Sequence, residues 1–95
     1  MMNEHKAKFL ACRHLPARLT VIETSWYLGF SESDIPVLAS RNLLKPVGAP
    51  SQSATKYYAL KDLKKVHEDV RWINRASATL NKHWQLKNAK KTNQL

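Results

Sequence analysis

Glycine occurs twice in this 95-residue sequence, at Gly29 and Gly48, and cysteine once, at Cys12. Two isolated glycines exclude a glycine-rich phosphate loop, whose backbone amides need such residues in close succession. A single cysteine excludes an internal disulfide and fits a reducing compartment. Cys12 and His14 form a lone pair; His5, His67 and His83 are scattered, and structural zinc needs about four ligands. No serine stands in a nucleophile-elbow context. No apolar run is long enough for a signal peptide or a membrane span. These absences predict one small cytoplasmic domain that is not an enzyme. They also predict no metal, no other cofactor, no small-molecule substrate and no membrane contact.

Acidic residues are the other scarcity. Seven Asp and Glu stand against 16 Lys and Arg, a formal charge of +9. Such an excess points to a polyanionic partner, most often nucleic acid. Residues 1–18 hold four basic residues against Glu4, residues 19–45 hold two against three acids, and residues 46–95 hold ten against three. The positive charge therefore belongs to the two ends.

Residues 4–12, "EHKAKFLAC", are mildly helical and predict a short helix or ordered arm over 1–17. In "RLTVIETSWYLG" the Thr20/Glu23 spacing forms a capping box, and Gly29 supplies a left-handed stop. A helix is expected over 21–28. Pro36 fixes the next helix: a cap at Ser33 leaves it in the first turn, where it forfeits no hydrogen bond. That helix runs from Asp34 or Ile35 to Arg41, with Asn42 left-handed after it. "LLKPV" and "KYY" read as two strands of a β-hairpin around "GAPSQSAT". A further helix follows at "LKDLKKVHE", with Leu60, Leu63 and Val66 inward.

Asp69 begins the longest periodic segment, expected to be helical to residue 88, and residues 89–95 read as a frayed basic tail. Val70, Ile73, Ser77, Leu80 and Trp84 make an apolar stripe at three- and four-residue steps. Arg71, Arg75, Ala78, Lys82 and Gln85 make a basic and polar one. Trp72 lies off the apolar stripe and is open either to core packing or to stacking on bases. The expected class is mainly α with a small β-hairpin wing and a long C-terminal helix.

"RLTVIETSWYLGFSESDIPVLASRNLLKPVG" followed by "KYYALKDLKKV" resembles the excisionase-like and MerR-like winged helix-turn-helix family, over roughly residues 18–66. The resemblance implies a winged helix-turn-helix over 18–68. It also implies DNA contacts from the exposed positions of the second helix and from basic wing residues, here Ser33, Pro36, Val37, Ser40, Arg41, Lys45 and Lys56. Base reading in the major groove needs bidentate groups such as Arg, Asn or Gln. Pro36 and Val37 offer none, and Glu32 and Asp34 repel phosphate. Sequence-specific reading by this helix is therefore not expected, and phosphate attraction, including Arg71, Arg75 and Lys82, supplies most of the affinity.

The resemblance also implies that Ile22 and Trp26 face solvent, and as neighbours four residues apart they form an apolar patch that needs a cover. The C-terminal helix is expected to provide it, from the same chain or from a second subunit. The leading expectation is a double-stranded-DNA-binding protein, a small bacterial transcriptional regulator or an excisionase-like accessory factor. The alternative is a protein-interaction module on the same scaffold, with Ile22, Trp26, Pro36 and Val37 as its interface. A third reading is an RNA-binding factor.

Overall fold

The computed structural model describes residues 3–93, with side chains through residue 89. Among these, five helices and a two-stranded antiparallel sheet form a mainly α-helical fold. The first helix, α1, spans Glu4–Ala11, with Asn3 Oδ1 accepting from the Lys6 N–H. Strand β1, Arg18–Thr20, runs directly into α2, Val21–Leu28.

The two-way cap of α2 is present. Thr20 Oγ1 accepts from the Glu23 N–H at 3.2 Å, and Glu23 Oε1 accepts from the Thr20 N–H at 2.9 Å. Loss of such a cap costs about 1 kcal/mol. Gly29, at φ 84°, ends α2 in the left-handed region expected of it. Helix α3, Asp34–Ser40, is followed by left-handed Asn42. Its boundaries agree with the proline argument to within one residue. Its cap does not work as expected, because the Ser33 hydroxyl makes no capping bond. Instead Asp34 reaches back and accepts from the Ser31 N–H at 3.0 Å.

The sheet corrects the hairpin expectation. Strand β2, Tyr57–Ala59, pairs with β1, with Leu19 opposite Tyr58. "LLKPV" forms no strand and joins the sheet edge only through the Val47 N–H, which donates to the Tyr57 carbonyl at 2.9 Å. Pro46 beside it has no N–H with which to extend a ladder. Arg18, in turn, lies 3.9 Å over the Tyr57 ring and ties β1 to its neighbour.

Helix α4, Leu60–His67, buries Leu63, with Leu60 and Val66 half-buried, as its apolar spacing requires. Helix α5 runs over Val70–Asn93, so positions 89–93 continue it as helix; the last two residues of the expected frayed tail lie outside the described residues. Among the described residues no helix is long and apolar enough to cross a membrane. The buried apolar core draws on every element but α2, whose buried residues Thr24 and Ser25 are polar: Phe9 from α1, Leu19 and Tyr58 from the strands, Ile35 and Leu38 from α3, Leu63 from α4, and Trp72, Ala76 and Leu80 from α5.

Two corrections concern α5 and the patch on α2. The buried face of α5 is Trp72, Ala76 and Leu80, whereas Val70 is 68% exposed and Ile73 is exposed. The stripe expected to be buried is thus only the flank of the true one. Trp26 is half-buried and packs on Phe9, with ring centroids 5.6 Å apart. Its cover is α1, while α5 packs on α3 and α4. Ile22 stays exposed.

Candidate nucleic-acid interface

The rotation of α5 about its axis decides which residues it offers to solvent, and two indoles set that rotation. Asp69 Oδ1 accepts from the Trp72 N–H at 3.2 Å and caps the helix start. The Trp72 indole N–H donates to the Leu43 carbonyl at 2.9 Å, and the ring meets Phe30 edge-on. Three turns later the Trp84 indole N–H donates to Asp34 Oδ1 at 2.9 Å. These two bonds, roughly 18 Å apart along the helix, fasten α5 to α3 and to the segment after it.

With that face held, Arg71, Arg75 and Lys82 are all exposed. At about 100° and 1.5 Å per residue they fall within roughly 40° of one another and span about 16 Å. Residues 70–95 contain no Asp or Glu. Among the described residues the ion pair is the exposed Lys8–Glu4 pair of α1, at 3.2 Å, so this row has no carboxylate partner. The Trp72–Leu43 bond also brings the segment that bears Arg41 and Lys45, both exposed, against the first turn of α5.

The outer face of α3 is poorer in donors than its position suggests. Ser33, Pro36 and Ser40 are exposed, but Ser40 already donates its hydroxyl hydrogen to the Val37 carbonyl at 2.7 Å, and the Ser33 hydroxyl pairs with that of Ser31. Val37 is half-buried against the core. Lys56 is fully engaged: its ammonium donates to the carbonyls of Ser51, Gln52 and Ala54 at 2.9, 2.6 and 2.9 Å. It folds the loop and has no hydrogen left to give.

Asp34 is turned inward to a structural task. Burial opposes its ionisation, but the hydrogen bonds from Ser31 and Trp84 and the nearby His83 outweigh that and hold its carboxyl below the ordinary value. Burial raises the Tyr27 hydroxyl, with Glu68 adding to the effect. No group of three or more His, Cys, Asp or Glu placed to hold a metal occurs among the described residues. Cys12 is exposed, its thiol donating to the Lys8 carbonyl at 3.2 Å.

Sequence reasoning missed the Asp34–Trp84 bond, which joins residues 50 positions apart and leaves no periodic trace. It also missed Trp72 as an anchor, because Trp72 fits neither stripe as drawn. Comparison with family models, with curated proteins and with solved structures finds no match to this chain.

Proposed function

We propose that the protein is a nucleic-acid-binding module of winged helix-turn-helix type. In this reading it is a small bacterial regulator or excisionase-like accessory factor that holds duplex DNA mainly through phosphate contacts. The observation that carries the reading is the row Arg71, Arg75 and Lys82 on the solvent face of a helix without an acidic residue. A duplex presents one negative charge per roughly 1.7 Å of axis, so a cation row about 16 Å long can meet several phosphates. Arg41 and Lys45, close to the start of that row, extend it. Helix α3 contributes position rather than base reading: Pro36 has no donor and the Ser40 hydrogen is already committed. Sequence preference is accordingly weak.

The test is fluorescence anisotropy with a random duplex at several salt concentrations. Affinity should fall steeply with salt. Charge reversal at Arg71, Arg75 and Lys82 to Glu should weaken binding on all sequences alike and flatten the log–log salt slope by about 0.9 per lost contact. Unchanged affinity in the triple variant would remove α5 as the interface. Preferential competition by structured RNA would move the reading from DNA to RNA.

A further inference from the structure

Between α3 and the loop over 46–56 lies a cleft of about 470 Å³. Val21, Pro36, Ala39 and Pro46 give it apolar walls, and Tyr58 lines it from the sheet. A volume of this order is that of a small-molecule pocket.

Tyr58 is the second observation. The residue is 2% exposed, yet its hydroxyl has no hydrogen-bond partner among the described residues. A buried phenol ordinarily finds one. Among the described residues the one unpartnered side-chain polar atom sealed wholly from solvent is Thr24 Oγ1, so the Tyr58 hydroxyl keeps an opening. Tyr58 lines this cleft and a second cavity between residues 42–45 and α4, and the second already carries the Asp62 carboxylate.

The charge around the cleft narrows the occupant. Among the described residues no carboxylate lines it. Lys56 lines it with an ammonium whose hydrogens are all bound to loop carbonyls, so its charge is fixed there without an anionic partner. The adjoining depression shares Val21 and Pro36 but carries Glu32, which turns an anionic group toward the Tyr58 and Lys56 end.

We propose that this cleft is a binding site for a small organic anion, a compact apolar body bearing a carboxylate that accepts the Tyr58 hydroxyl. Binding is non-covalent and no group is transferred. The apolar body displaces water from the Val21, Pro36, Ala39 and Pro46 walls. The carboxylate takes the place of solvent as acceptor for the Tyr58 hydroxyl, to which the described residues offer none, and gives Lys56 a counter-charge.

Amide chemical-shift titrations of the free protein, with no nucleic acid present, test this. The probes are 2-naphthoate and its cationic counterpart, 2-naphthylmethylammonium. With 2-naphthoate the amides of Val21, Ala39, Ser40 and Tyr58 should shift together and saturate, while the cation leaves them in place. Tyr58→Phe should weaken 2-naphthoate binding about tenfold, the effect of losing one charge-assisted hydrogen bond. Ala39→Leu, which fills the cleft without touching the hydroxyl, should abolish it. Unsaturating shifts spread over the lysines of α4 and α5 would mean general attraction to a basic protein and overturn the proposal. So would undiminished binding by folded Tyr58→Phe.

Discussion

Asp34 illustrates how a residue can be misjudged from its charge alone. On the leading turn of α3 it looks like an acid set against phosphate, but its oxygens accept from the Ser31 N–H and the Trp84 indole and join α3 to α5. Its folded pKa lies below its ordinary value. A carboxyl depressed on folding adds stability above its unfolded pKa of about 4, and that contribution is lost as pH falls through the lower folded value. The stability gap between wild type and Asp34→Asn should therefore be constant from neutral pH down to about 5. It should then shrink as the solution is acidified further. Urea titrations across that range would reveal it; a gap that widens toward acid would reverse the assignment. Trp72 is a second such residue. Trp72→Phe retains most of the buried ring but orphans the Leu43 carbonyl, at a cost of about 1–3 kcal/mol. Pro36→Ala, by contrast, should change stability by no more than about 1 kcal/mol, because a first-turn proline forfeits no helical bond.

Among the elements, those specified by neighbouring residues were legible in the sequence. Thr20, Glu23 and Gly29 write the limits of α2 within ten positions, and Pro36 with Asn42 writes those of α3. The strand pairing was not legible. Arg18–Thr20 is only three residues long and ends in the cap of α2, so its local signal is that of a helix start. What makes it a strand is β2, some forty residues away. The face of α5 failed for a different reason. Val70–Ile73–Ser77–Leu80–Trp84 and Trp72–Ala76–Leu80 are both acceptable helical phases. Spacing cannot rank them; the Trp72 indole bond to Leu43 does. For the candidate interface, the cations on α5 were visible as a stripe, while the engagement of Lys56 by loop carbonyls was not. The cover of Trp26 gives a prediction at this scale. Phe9→Ala should cost about 3 kcal/mol or more, in the range for a buried aromatic. Of the three indole N–H signals it should chiefly shift that of Trp26, the one indole without a hydrogen-bond partner among the described residues. If the Trp26 resonance stays in place in the folded variant, α1 is not its cover.

For the molecule as a whole, the charge of +9 acts on folding and on binding in opposite senses. Lys and Arg crowd onto a body whose described ion pair, Lys8–Glu4, is exposed and contributes little. Self-repulsion among unpaired cations destabilises the compact state, and added salt screens it, with a Debye length of about 30 Å at 0.01 M and about 8 Å at 0.15 M. Raising salt across that interval should raise the melting temperature by a few degrees, the equivalent of about 0.5 kcal/mol for a domain of this size. The same change should weaken the attraction for a polyanion, because each counterion released when a phosphate is neutralised gains less entropy in a saltier solution. Thermal melts of the free protein and duplex titrations in the same buffers would therefore show two salt dependences of opposite sign. Reversal of Arg71, Arg75 and Lys82 to Glu should flatten both, since it removes the repulsion and the contact together. A melting temperature that falls with salt would mean that ion pairing, not repulsion, dominates the surface. The α5 row would then be neutralised within the protein and unavailable to phosphate.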